Sequence, residues 1–278
     1  MSDIFHIAIC VLGSGLCNQM YSVITGVIFA LSQNKHTLVI DAFQDDYSVY
    51  KYTAISEILD LDEMNRRLES FDIRLRDIRD HPTDEHVIYP MCCPTYADQR
   101  MFDIVLRSIR FHPSYVSLAK QFTDQIEPGA RINALHLRIE DDAIRHWCNS
   151  NEMSEAEFRT ALTKRYIDVI KEHVDKTDVN LILSYSTDNG VLDFMKENGY
   201  RYLLTEKNLS LGREKNAIVD TLVAQACNKM MLANVNFSDS LGSSFSYFVV
   251  KRLMDNVKCV AVDIRDLKIP DSVHMTPV

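Results

Sequence analysis

R-I-N-A-L-H-L-R-I-E-D-D-A-I-R-H-W, running from Arg131 to Trp147, starts apolar and ends polar. Ile132, Ala134, Leu135 and Leu137 form a short apolar run suited to a buried strand. His136, Arg138, Glu140, Asp141 and Asp142 then concentrate polar chemistry at the strand's end. Ligands of open α/β sheets bind beyond the carboxyl ends of the strands, so this cluster marks a candidate site. Arg138 offers a fixed charge and planar donors that match a phosphate bidentately. The carboxylates after it can orient the arginine or accept a proton from a substrate hydroxyl. A solvated loop of salt bridges uses the same residue types, and the remaining segments have to choose between the two readings.

Those segments alternate strand and helix. Ile4 to Leu12 predicts a strand, Gly13-Ser14-Gly15 a turn, and Asn18 to Gln33 a helix with Met20, Val23, Ile24, Val27, Ile28 and Leu31 at helical spacing. His36 to Ile40 predicts the next strand, which completes a βαβ unit and hence a parallel sheet. Residues 42–130 are less regular, with helices expected over 53–70, 98–110 and 114–125 and loops at Pro82, Pro90 and Pro94. Beyond Trp147, Ser154 and Glu157 form a capping box at the start of a helix over 154–174. Strands are expected over 179–186, 200–204, 229–234 and 258–263, with helices over 191–198, 217–228 and 240–255 between them. The expected fold is α/β, with two Rossmann-like lobes, 1–129 and 130–278, divided at Glu127-Pro128-Gly129 and facing a shared cleft.

Composition narrows the function classes. The chain has 278 residues, enough for two domains that each bury a core, and 46% of them are hydrophobic. A net charge of -9 argues against a nucleic-acid or anionic-membrane binder. The seven cysteines are scattered and form no C-x-x-C pair, which favours reduced thiols over a zinc site or a disulfide framework. The apolar opening run lacks the basic flank of a secretory signal, and no apolar run approaches the roughly 20 residues of a membrane span. A soluble protein of the cytoplasm is expected.

Three further motifs bear on chemistry. Gly13-Ser14-Gly15-Leu16-Cys17-Asn18-Gln19 sets glycines where a strand meets a helix N-terminus, a place where backbone N–H groups approach an anion or a sugar. It is neither a Walker loop nor a dinucleotide fingerprint, and a tight βα turn needs glycine for geometry alone. Leu241-Gly242-Ser243-Ser244-Phe245-Ser246 opens a helix, where small hydroxyl residues either cap it or donate to a phosphate. Asp220 lies in the otherwise apolar A-I-V-D-T-L-V-A, an environment that calls for a partner such as a purine edge. Asp60-Leu61-Asp62 matches the D-x-D of metal-dependent transferases but sits in a charge-rich helical stretch and reads as a solvated face. Trp147, Tyr247 and Phe248 read as packing residues, and Met91-Cys92-Cys93-Pro94 as a loop.

Taken together, these pieces resemble the GDP-fucose-dependent fucosyltransferases related to the protein O-fucosyltransferases. The matching residues are G-x-x-N-Q at Gly15 to Gln19, H-L-R-I-E at His136 to Glu140, S-T-D at Ser186 to Asp188, and the run from Asp220 to Ser246. The resemblance implies a GT-B-type glycosyltransferase that transfers fucose from GDP-fucose to a hydroxyl of a glycan or protein, with inversion and without a metal or other cofactor. By position, Arg138 would grip the β-phosphate, and Ser243, Ser244 and Phe245 would cradle the diphosphate. Asp220 would read the guanine with His136 nearby on the nucleotide, while Gly13, Gly15 and Asn18 would face the sugar. Glu140, or failing that Asp141, is the expected general base for the acceptor. Two other readings keep the fold: a different donor, such as another GDP-sugar or UDP-xylose, and a non-catalytic nucleotide-sugar or glycan-binding protein.

Overall fold

The computed structural model describes residues 4–7, 15–46, 51–81, 87–88, 98–184, 190–205, 210–235, 242–253 and 257–267. In chain order its elements are β1 (Ile4–Ile7), α1 (Leu16–Ser32), β2 (Thr37–Ile40), β3 (Phe43–Asp46), β4 (Lys51–Thr53), α2 (Ile55–Ile58), α3 (Leu61–Leu68), β5 (Arg74–Asp77) and β6 (Val87–Ile88). They continue with α4 (Gln99–Ser108), α5 (Pro113–Thr123), β7 (Ile132–His136), α6 (Asp141–Cys148), α7 (Glu155–His173), β8 (Val179–Leu183) and α8 (Gly190–Glu197). Last come β9 (Tyr202–Leu204), α9 (Gly212–Ala224), β10 (Met230–Ala233), α10 (Ser244–Arg252) and β11 (Lys258–Ala261).

The chain divides into two units: residues 1–125 with 206–225, and residues 126–205 with 226–278. The boundary expected after Gly129 therefore falls a few residues earlier. The expected division also misplaces α9, which belongs to the first unit although it follows β9 of the second. The physical reason is side-chain anchoring. Glu214 accepts the Leu16 N–H at the start of α1, and the Lys215 ammonium reaches Asp45 at 3.0 Å and Thr53 at 2.8 Å across the β3–β4 hairpin.

In the first unit the sheet order is β5-β2-β1-β6 with every pairing parallel, and β3 pairs β4 as a separate antiparallel ribbon. α1 packs almost wholly inside, with Met20, Tyr21, Val23, Ile24 and Val27 fully buried. The long helix expected over 53–70 is instead β4, α2 and α3. Leu59 breaks off to bridge Phe111, and Asp60 accepts the Glu63 N–H as the N-cap of α3. Asp60 is thus a cap, and of the D-x-D triplet Asp62 is the exposed member.

In the second unit five parallel strands run in the order β11-β10-β7-β8-β9. β7 and β8 are buried along their whole length, as strands covered by helices on both faces must be. Phe158, Leu162, Tyr166, Val169 and Ile170 form the inward stripe of α7, and Ile144, Trp147 and Cys148 of α6 join the same core. Tyr247 and Phe248 are buried as packing residues. The sheet grows outward in both directions from β7 and β10, which makes the gap beyond their carboxyl ends its topological switch point. Among the described residues, no helix is long and apolar enough to cross a membrane. The Met91-Cys92-Cys93 run and Ser186 to Asp188 lie outside the described residues.

Candidate functional site

The second unit builds a polar site at that switch point. β7 ends at His136, and one more hydrogen bond ties the chain to β8, from the Leu137 N–H to Leu183 O at 3.2 Å. Beyond it the chain turns at Arg138, with the Ile139 N–H donating to Leu137 O at 3.2 Å. The Arg138 N–H donates to the Tyr166 hydroxyl at 3.1 Å, and the Asn234 amide donates to the same oxygen at 3.2 Å. Tyr166 is fully buried, and that burial pushes its phenol well above the ordinary value despite both hydrogen bonds. It therefore stays neutral and acts as a post linking the ends of β7 and β10.

The Arg138 guanidinium is held by two carboxylates. One terminal nitrogen donates to Glu140 at 2.9 Å and the other to Asp142 at 2.8 Å. Arg138 is 20% exposed, Glu140 12% and Asp142 47%, so the group sits at the rim of the site with Glu140 innermost. Glu140 is the N-cap of α6 and Asp142 lies in its first turn, where the helix dipole favours anions. Asp141 points elsewhere: it pairs with Arg159 at 2.6 Å and its side chain is 80% exposed. Asp142, one of the carboxylates expected to orient the arginine, stands four residues from Arg138, a separation at which side chains of a helical turn meet.

Across the switch point, α10 begins with Ser243 as its N-cap. Ser243 N donates to Asn234 O at 2.8 Å, which folds the chain back from β10 into the helix. Gly242 permits that fold: its φ is +107, and a Cβ there would stand 2.7 Å from Asn234 O. Ser246 is fully buried, with its hydroxyl 2.9 Å from the Asn234 N–H and 2.7 Å from His136 Nδ1. The Phe245 ring packs on the His136 ring at a centroid distance of 4.8 Å and an angle of 45°. Thus His136, Arg138, Glu140, Ser243, Ser244 and Phe245, all expected at the site, come together in one unit. Asn234, Tyr166 and Ser246 support them, and no local pattern in the sequence announced the first two.

The remaining expected residues belong to the first unit, and Gly13 lies outside the described residues. Gly15 is the N-cap of α1, but the anion position at this helix start is already filled by the buried Glu214 carboxylate, which accepts the Leu16 N–H. A Cβ on Gly15 would stand 3.3 Å from that carboxylate, so the glycine makes room for Glu214. Gln19 of the G-x-x-N-Q motif clamps the backbone of Gln44 in β3, donating to its O at 3.0 Å and accepting from its N–H at 2.9 Å. Asn18 is partly exposed beside this clamp. Asp220 is buried on α9. Glu214 escaped the sequence reading because the helix was expected to start at Ala217, and it starts at Gly212. Among the described residues, no three His, Cys, Asp or Glu side chains gather as metal ligands would.

No protein-family model matches the chain, and no curated protein matches it by sequence. Solved structures match it by fold. POFUT1 in complex with GDP gives a TM-score of 0.61 at 10% identity, over 93% of this chain and 97% of that one. POFUT1 in complex with GDP-fucose gives 0.59 at 9% identity, over 92% and 97%. The fucosyltransferase NodZ from Bradyrhizobium gives 0.60 at 12% identity, over 91% and 94%. At these identities the likeness is one of fold, and it extends over nearly all of each chain: the α/β fold expected from the alternation of strands and helices, and the GT-B type that the resemblance implies, are shared with the POFUT1 and NodZ structures.

Proposed function

We propose that the chain is a glycosyltransferase that moves fucose from GDP-fucose to a hydroxyl of a glycan or protein acceptor, with inversion at the sugar and without a metal. One observation carries this reading: His136, Arg138 and the N-terminus of α10 converge at the switch point of a parallel sheet. The fold shared with POFUT1, solved with GDP-fucose, and with the fucosyltransferase NodZ supports the donor class.

Sugar transfer builds negative charge on the departing diphosphate. A preorganised guanidinium and the N–H groups that open α10 stabilise that charge, with Ser243, Ser244 and Phe245 around the phosphates and His136 on the nucleotide. Arg138 starts out bound to Glu140 and Asp142. An incoming diphosphate offers it a more highly charged partner, and the exchange releases a carboxylate within the same site. A carboxylate released from the guanidinium has its oxygens open to the hydroxyl of an acceptor. Glu140 is therefore the proposed base in the donor-bound state, ahead of Asp141, which Arg159 holds. The guanine contact of Asp220 and the sugar contacts of Gly15 and Asn18 rest on the resemblance alone, since all three belong to the other unit.

A thermal-shift panel of GDP, GDP-fucose, GDP-mannose, UDP and UDP-xylose, with and without EDTA, tests the reading. A ligand that binds only the folded chain stabilises it by about 2.7 kcal/mol at a hundredfold excess over its Kd. The expected result is a shift with GDP and GDP-fucose that survives EDTA. A shift with UDP-sugars alone would overturn the donor, and a shift that EDTA abolishes would overturn the metal-free mechanism.

A further inference from the structure

Ser246 ends the S-S-F-S motif but has no place in the phosphate cradle, because it turns inward. Its side chain is fully buried, and its oxygen accepts the backbone N–H of Asn234 at 2.9 Å. The same oxygen lies 2.7 Å from Nδ1 of His136. A backbone amide can only donate, so one lone pair of the hydroxyl is committed and its single proton is left to place. Among the described residues, the hydroxyl has no hydrogen bond to any acceptor other than Nδ1. If Nδ1 carried the proton instead, Ser246 would accept twice and leave a buried O–H without an acceptor, an arrangement that costs more than the hydrogen bond gains.

We propose that Ser246 is a positioning residue: it fixes His136 as the neutral tautomer protonated on Nε2, so that the ring presents a hydrogen-bond donor to an oxygen of a bound nucleoside diphosphate. Asn234 N–H to Ser246 O–H to Nδ1 is a directed chain in which each link polarises the next. Phe245, packed at 4.8 Å, fixes the plane of the ring while Ser246 fixes its proton. Every outward oxygen of a phosphate or ribose can accept a hydrogen bond, whereas a bare ring nitrogen facing a phosphate would be repelled. The opposite tautomer would thus disfavour the ligand that the neighbouring arginine attracts. The tautomer stands on the geometry alone, and the identity of the ligand rests on the function proposed above.

The experiment uses the full chain with 15N-labelled histidine. Without nucleotide, His136 is expected to show a proton bonded to Nε2 and none on Nδ1, and Ser246→Ala is expected to give a mixture of tautomers. A proton on Nδ1 in the wild type, which needs no variant to fold, overturns the proposal, as does an unchanged spectrum in Ser246→Ala. Titration with GDP reads the consequence. Ser246→Ala is expected to weaken binding about tenfold, the value of one hydrogen bond of roughly 1.4 kcal/mol. Adding it to His136→Ala is expected to cost nothing more. Full additivity of the two variants would show that Ser246 does not act through His136. If wild-type chain binds no GDP, the proposed function fails and takes the ligand with it, while the spectra still decide the tautomer.

Discussion

Glu140 and Asp142 hold Arg138 in the geometry a diphosphate would take over, so removing each carboxylate has a different expected effect. Asp142→Asn removes a half-exposed competitor, and GDP is expected to bind a few-fold more tightly by calorimetry, consistent with the modest value of exposed ion pairs. Glu140→Gln is expected to preserve or improve GDP binding while lowering kcat by about 100-fold or more, the usual scale for losing a general base. A kcat that Glu140→Gln leaves unchanged would remove Glu140 from the chemistry. Gly242→Ala is the sharpest structural test: positive φ and a Cβ 2.7 Å from Asn234 O are expected to cost on the order of 1–3 kcal/mol in thermal unfolding. The sequence exposed some of these residues and hid others. His136, Arg138 and the serines of α10 were legible because polar chemistry at the end of an apolar run is unusual. Tyr166 and Asn234 were not, because a tyrosine on an amphipathic helix and an asparagine after a strand look like ordinary packing and turn residues until the fold joins them.

Helix starts account for both successes and misses among the elements. The capping box of α7 is present as read, with the Ser154 and Glu157 side chains each satisfying the other's backbone N–H. Ser154→Ala is expected to cost about 1 kcal/mol of stability, measured by denaturant unfolding. The start of α3 carries the related signal Asp60-x-x-Glu63, but periodicity over 53–70 concealed it because apolar spacing ran on past Leu59. Within α3, hydrogen bonds from Arg66 and then Arg67 hold the Glu63 carboxyl down at about 2. Its folded pKa lies below its unfolded one, so the contribution is complete above the ordinary carboxylate range and fades as pH falls toward 2. An NMR titration of Glu63 is expected to show that depressed midpoint, and a midpoint near 4.5 would contradict the pairing. The short strand β5, R-L-R-D, escaped the sequence reading because it lies at the edge of its sheet and two of its four residues are arginines.

For the molecule as a whole, the sequence conveyed the fold class because parallel strands buried on both faces read as bare apolar runs separated by helical periods. It did not convey that 206–225 belongs with the first unit, since that membership rests on the contacts of Glu214 and Lys215 with residues some 160 to 200 positions away. The two-lobe division was thus readable in outline, and the path of the chain between the units was not. In the second unit, the switch point is proposed to bind a nucleoside diphosphate through Arg138. Calorimetric titration of GDP in EDTA into the wild-type chain and Arg138→Ala tests it most directly. We predict binding by the wild type and a loss of about 100-fold or more in the variant, as removal of a charged partner from a phosphate implies. Equal affinity in the two proteins, with the variant folded, would contradict the account.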